Sequence, residues 1–333
     1  MTVLMTIDGL TKSFADTSMR LGPKRPPVRA VDGVSFQIMQ GEVLAVVGES
    51  GCGKSTLGRL LLRLIEPTSG TVTFEGQNMS VMAPEQVRQM RQRMQMVFQD
   101  PFGSLSPRRT IANIIAEPMD TFGLSGTGKA RREKVAALLQ MVGLPSIYMD
   151  RKPRQFSGGQ RQRIGIARAI SVDPTFIVAD EPVSALDVSI QAQIINLMQD
   201  LQQDKGFSFL FIAHDLAVVR HIADRVAVMY LGRIVEIGTK DQVYNAPHHP
   251  YTEALLSAAP HPEPGRRETR IILQGDVPSP SNVPSGCAFR TRCPLAQDIC
   301  AREQPALREV APGLNTACHF AAPHPITRHR ARA

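Results

Sequence analysis

Gly48-Glu49-Ser50-Gly51-Cys52-Gly53-Lys54-Ser55-Thr56 is the stretch that decides how this chain folds. It fits G-x-x-x-x-G-K-[ST], the pattern of a phosphate-binding loop. Residues 42–47 ahead of it read as a buried strand, and residues 57–65 behind it as a helix. A loop between a strand and a helix gathers backbone N–H groups into a nest at a helix N-terminus, where anionic phosphate is attracted. The glycines at 48, 51 and 53 let bare backbone approach the phosphate oxygens. Lys54 is placed to reach the β- and γ-phosphates, and the Ser55 hydroxyl to ligate Mg2+. The pattern implies a bound nucleoside triphosphate, with Glu49, Ser50, Cys52 and Thr56 completing the loop.

The 333 residues suffice for one large α/β unit and something smaller, and a hydrophobic content of 43% allows a substantial core. A net charge of +8 and a pI near 9.5 suit nucleic acid or anionic headgroups as partners, or simply solvated helix faces. No apolar run approaches the roughly 18 residues of a membrane span. The first residues lack a basic segment followed by an apolar one, so export is not expected. In the cytosolic setting this implies, the five cysteines should be thiols or metal ligands, not disulfides.

Residues 3–14 read as a strand, 15–29 as a Pro-, Gly- and base-rich loop, 34–38 and 72–74 as further strands. Phe14 is either a core aromatic or a platform for a purine base. Residues 84–95 read as a polar helix, and the apolar strand after it ends at Gln99, which by itself is also explained as a loop amide. Helical periodicity runs from about 110 to 155, notably over 130–142. Ser157 with Gln160 forms a capping box for a helix over 161–170. Gly158 and Gly159 weaken a first turn, so they predict the close approach of a ligand's oxygens, a second anion site. The buried strand 175–179 ends in Asp180 and Glu181; the first can orient Mg2+ and the second polarise an attacking water. Residues 184–187 read as the start of a helix over 188–204. The strand 207–213 ends in His214, a candidate γ-phosphate contact at the carboxyl edge of a sheet. Residues 227–230 and 233–237 read as a hairpin that closes the domain.

Taken together, residues 48–56, Gln99, Ser157–Gln160, Asp180–Glu181, Ser184–Asp187 and His214 resemble ABC-type ATPases in identity and in order. They match that family's phosphate loop, Q-loop, signature, Asp-Glu box, D-loop and H-loop. Phe156 stands where the signature more often begins with Leu. The resemblance implies a parallel sheet carrying the phosphate loop, an antiparallel β region, and a helical subdomain at about 100–170, within an ATP-binding domain over 1–250. It implies ATP and Mg2+ as cofactors, with Ser55, Gln99 and Asp180 around the metal. Glu181, His214, Gln99 and Lys54 become the catalytic set. Ser157, Gly158, Gly159, Gln160 and Asp187 would complete a partner's site in a head-to-tail dimer.

Beyond it, residues 247–256 (PHHPYTEALL) and 286–294 (GCAFRTRCP) resemble the C-terminal extension of the oligopeptide/dipeptide importer subgroup. That subgroup implies import of a small solute, most readily peptides, across the inner membrane from its cytoplasmic face. Its partners are a second ATPase chain in a heterodimer, two permeases, and a periplasmic or lipid-anchored binding protein; nucleic acid is not among them. Cys287, Cys293, Cys300 and Cys318 fall in the extension, 251–320, and the resemblance implies that they hold a [4Fe–4S] cluster. By ligand count alone a four-thiolate zinc site or free thiols remain open. Cys52, at a helix N-terminus, is a candidate acidified thiol whose oxidation would block the loop. Residues 260–270 read as a linker and 321–333 as a disordered basic tail. A soluble ABC ATPase acting on nucleic acid, or one serving iron–sulfur assembly, is the alternative reading.

Overall fold

The computed structural model describes residues 2–15, 26–100, 103–258 and 271–323. The expected linker at 260–270 and nearly all of the expected basic tail lie outside these residues. In chain order come β1 (Val3–Phe14), β2 (Val28–Met39), β3 (Val43–Val47), α1 (Lys54–Leu61), β4 (Ser69–Phe74) and β5 (Gln77–Asn78). Then follow α2 (Pro84–Met90), β6 (Met94–Val97), α3 (Ile111–Thr121), α4 (Gly128–Met141) and α5 (Gly158–Ile170). After them run β7 (Phe176–Asp180), α6 (Val188–Lys205), β8 (Ser208–Ala213), α7 (Leu216–Ile222), β9 (Arg225–Tyr230) and β10 (Arg233–Thr239). The C-terminal part holds α8 (Lys240–Asn245), α9 (Pro250–Ala258), α10 (Asp298–Arg302), β11 (Arg308–Ala311) and β12 (Leu314–Thr316).

Strands β3, β7 and β8 are buried at every position, as unalternating apolar runs require. Both faces of their sheet are covered. Val43, Ala45 and Val47 of β3 enter one core with α3, α5 and α6, while Leu44 and Val46 enter another with α1 and the antiparallel strands. Among the described residues the main sheet has the order β11-β12-β10-β9-β3-β8-β7-β6. The run from β9 to β6 is parallel, and β10, β12 and β11 add antiparallel. A second sheet, β2-β1-β4-β5, is antiparallel. Helices α3, α4 and α5 pack on one another as the expected helical region.

Three readings change. The polar helix expected over 84–95 ends at Met90, because Met94, Met96 and Val97 are needed as the buried edge strand beside β7. The helix after the phosphate loop begins at Lys54 and ends at Leu61. The β9–β10 hairpin does not close the sheet: β12 pairs with β10, so residues from the extension carry it further.

Glu236 of β10 makes that junction. It is fully buried, and its carboxylate oxygens accept the N–H groups of His248 (2.6 Å) and His249 (3.2 Å) just before α9. In register it faces Thr316 of β12. Burial outweighs these hydrogen bonds and pushes its pKa from 4.5 to about 7. The folded chain therefore holds this proton more tightly than the unfolded one. The contribution of this group to stability is fully present below pH 4.5 and is lost as pH rises through about 7. Glu236→Gln cannot ionise, so across that window the wild-type melting temperature should fall relative to the variant's; calorimetry at a series of pH values reads the difference.

Candidate functional site

The phosphate loop leaves β3 at Gly48 and enters α1 at Lys54. Gly48 has φ +154° and Gly53 φ +107°. A Cβ at 48 would lie 2.2 Å from the Met229 carbonyl oxygen of β9, and one at 53 would lie 1.9 Å from the Ala30 carbonyl oxygen of β2. These two glycines are thus demanded by the protein's own backbone, before any ligand is considered. Gly51, at φ +79°, faces open space. Lys54 is buried and donates from Nζ to the carbonyl oxygens of Gly48 (2.8 Å) and Glu49 (3.0 Å), spanning the loop from inside. No acidic residue in the first turn of α1 offsets its positive N-terminal end.

Cys52 departs from expectation. Burial pushes its thiol pKa up, and the Lys54 charge only partly lowers it, so it is not the acidified thiol that its position suggested.

Parallel pairing in the order β3-β8-β7-β6 brings four carboxyl ends to one edge of the sheet. The Ser55 hydroxyl donates to Asp180 Oδ1 at 2.7 Å, joining the loop to β7. Asp180 is 2% exposed; burial raises its pKa while Ser55 and the Arg59 and Lys54 charges lower it. A cation beside it would favour the ionised form. Glu181 sits at φ +43°, a strained conformation for a non-glycine residue. Its Oε2 accepts Gln99 Nε2 at 2.8 Å and lies 3.5 Å from His214 Nδ1. Gln99 and His214, 115 positions apart, thus converge on one carboxylate.

Phe14 is 43% exposed at the end of β1, so it is not a core aromatic; the Lys12 ammonium lies 5.2 Å from its ring centre. It pairs in register with Val28, two residues before the Ala30 that abuts Gly53. Ser157 and Gln160 form the expected capping box at the start of α5. The glycines between them have an internal reason that the sequence did not reveal: a Cβ at 159 would lie 2.5 Å from Ile190 Cγ2 of α6. One at 158 would lie 3.3 Å from Leu186 Cδ2. Asp187 begins α6 without a side-chain cap bond, beside Val188, which is 81% exposed. Among the described residues no hydrogen bond joins 157–160 or Asp187 to residues 48–56.

Two contacts were missed altogether. Arg292 grips the Glu49 carboxylate with both terminal nitrogens, at 2.9 and 3.1 Å. The Glu49 N–H donates to the Tyr251 hydroxyl at 2.9 Å. Both partners come from beyond residue 250, and no local pattern announces a contact across 243 positions.

Burial pushes up the thiol pKa values of Cys287, Cys293 and Cys318, and neighbouring cysteines of the extension add to each. The Cys287 N–H donates to the Cys300 carbonyl at 2.8 Å. However, among the described residues no group of three or more His, Cys, Asp or Glu side chains is gathered so as to hold a metal ion. The expected cluster or zinc site is therefore not seen preformed.

Residues 31–184 match the family described as "ABC transporter", and residues 235–300 match "Oligopeptide/dipeptide transporter, C-terminal region". The chain is 54% identical over 320 residues to the oligopeptide transport ATP-binding protein AppF of Bacillus subtilis, covering 95% of this chain and 97% of that one. A relative in Brucella ovis is 54% identical over 317 residues, covering 95% and 98%. Among solved structures, the dimeric post-hydrolysis state of the ATP-binding cassette MJ0796 bound to ADP and Pi superposes with a TM-score of 0.63 at 28% identity. It covers 71% of this chain and 99% of that one.

The loop geometry yields a ranking. Gly51→Ala meets no atom and should cost only the left-handed backbone term, about 1–2 kcal/mol. Gly53→Ala adds the collision with Ala30 and should cost about 3 kcal/mol or more; denaturant unfolding of the two variants compares them.

Proposed function

The chain belongs to the ABC transporter family, as one of its ATP-hydrolysing subunits, and from that membership we propose that it energises import of di- or oligopeptides across the inner membrane. The observation that carries the catalytic part is the convergence of Gln99 and His214 on Glu181, next to a phosphate loop tied to Asp180 through Ser55.

The loop N–H groups and the α1 N-terminus bind the triphosphate, and Lys54 neutralises its terminal charge. Ser55 and Asp180 offer the hard oxygen donors that Mg2+ prefers, with Gln99 close by. Phe14, exposed near the loop, stacks on the base. Glu181 orients and polarises the attacking water, which needs a carboxylate held at a fixed angle; its strained backbone and its two side-chain partners hold it there. His214 steadies the γ-phosphate. Gln99, bound to Glu181 at the end of β6, reports occupancy to the membrane subunits.

Ser157–Gln160 and Asp187 act in trans. In support, Asp187 begins α6 without a side-chain cap bond and the adjacent Val188 is 81% exposed, as a surface that meets a partner chain would be. The partner is a second ATPase chain, and the pair drives two permeases fed by an external binding protein. The described residues include no helix long and apolar enough to cross a membrane, and the proposed place of work is the cytoplasmic face, held by the permeases. Residues 1–250 serve as the ATP-binding unit and 251–320 as the extension.

In that extension Cys287, Cys293, Cys300 and Cys318 are proposed to hold a [4Fe–4S] cluster. In favour stand the placement of all four in one short extension and the backbone N–H donated by Cys287 to the Cys300 carbonyl at 2.8 Å, which ties two of them together. When bound, such a cluster supplies a cross-link of the four thiolates and a one-electron redox centre.

Two measurements test these assignments. Glu181→Gln should retain binding of a fluorescent ATP analogue while phosphate release falls by about 100-fold or more; unchanged hydrolysis would remove Glu181 from the mechanism. Anaerobically purified protein should absorb broadly near about 400 nm and carry about four irons and four sulfides. Protein without iron would end the cluster assignment and leave the ATPase intact.

A further inference from the structure

Glu49 is held from three directions. Its carbonyl oxygen accepts Lys54 Nζ, its N–H is taken by the Tyr251 hydroxyl, and its carboxylate is held in the fork of Arg292. The last two partners belong to the extension. The Arg292 side chain is 9% exposed and that of Glu49 27%, so this pair is largely withdrawn from solvent. Its surroundings are built. Tyr230, the last residue of β9, packs its ring 4.7 Å from Tyr251 and 5.3 Å from Phe289, and Phe289 lies 5.4 Å from Tyr251. Tyr230 directly follows Met229, whose carbonyl presses on Gly48. A guanidinium stays charged at any working pH, so Arg292 is a permanent cation beside Glu49.

A carboxylate at the second position of a phosphate-binding loop is an electrostatic contradiction. Left unpaired, it would repel the polyphosphate that the loop's N–H groups attract. We infer that Arg292 is a positioning residue for the nucleotide: it cancels the Glu49 charge and fixes the loop's backbone, so that the C-terminal extension completes the ATP site. Tyr251 braces the same residue. Lysine would not substitute fully, because a point charge cannot make the two parallel bonds of the fork. This inference rests on the ATP-binding reading above.

The test uses the full chain and titrates mant-ATP by fluorescence, alongside steady-state hydrolysis. Arg292→Gln should weaken mant-ATP binding about tenfold and raise KM for ATP similarly, with kcat falling by less. Adding Glu49→Gln removes the orphaned charge and should bring the affinity back to within about threefold of wild type. A packing defect would not be repaired by that second substitution. Arg292→Lys should fall between Arg292→Gln and wild type. If Arg292→Gln does not fold, Arg292→Lys with and without Glu49→Gln makes the same comparison. Wild-type affinity in the Arg292 variants, or a double variant no better than the single, overturns the inference while Glu181-dependent hydrolysis leaves the ATPase standing. A wild-type chain that does not bind mant-ATP overturns both.

Discussion

Two backbone carbonyls, those of Met229 and Ala30, press so closely on the phosphate loop that no side chain fits at Gly48 or Gly53. The loop is therefore a seat moulded by its neighbours as well as a cradle for phosphate. Met229 lies on β9 in the main sheet and Ala30 on β2 in the antiparallel one, so both sheets must be in place before the loop has its shape. The β9–β10 turn links them: the Gly232 N–H donates to Cys52 O and the Asp32 N–H to Gly232 O, each at 2.9 Å. Arg233 then pairs with Asp32 at 2.6 Å. A nest of N–H groups binds anions well only if its geometry costs nothing to assemble at binding, and this seating supplies that rigidity.

The chemistry next to the loop depends on strand order. In sequence the loop, Gln99, Glu181 and His214 follow one another; in space the strands that carry them run β3, β8, β7, β6. Glu181 thus stands between His214 and Gln99. Its positive φ turns the chain sharply after β7, and the adjacent N–H···O bond to Ile212 of β8 holds that turn. Backbone strain of about 1–3 kcal/mol is tolerable when neighbouring strands determine the conformation.

The C-terminal region is bound into the same assembly. β12 extends the main sheet, Glu236 caps the approach to α9 from within, and Arg292 reaches the loop itself. A buried ion pair gains little over an apolar contact, but losing one partner strands the other's charge. The Arg292–Glu49 pair is placed where such a stranded charge would be felt by the triphosphate.

Local sequence determined the parts whose signals are local. The loop's spacing, its flanking strand and helix, the capping box at Ser157, and the apolar runs ending in Asp180–Glu181 and His214 could all be read without a structure, because each is set by residues a few positions apart. That reading also reached the family. It failed where burial overrode pattern, as in 84–95, where a helical reading ran into residues that the sheet needs as a strand. It did not reveal that Gly159 also lies bare against Ile190 across a helix interface, or that burial raises the Cys52 thiol where a helix N-terminus alone would lower it. Which strand lies beside which, that Glu181 draws in both Gln99 and His214, and that Arg292 reaches back to Glu49 were decided only by the tertiary structure. Those contacts join positions tens to hundreds of residues apart, and chain-distant packing leaves no periodicity in the sequence to be read.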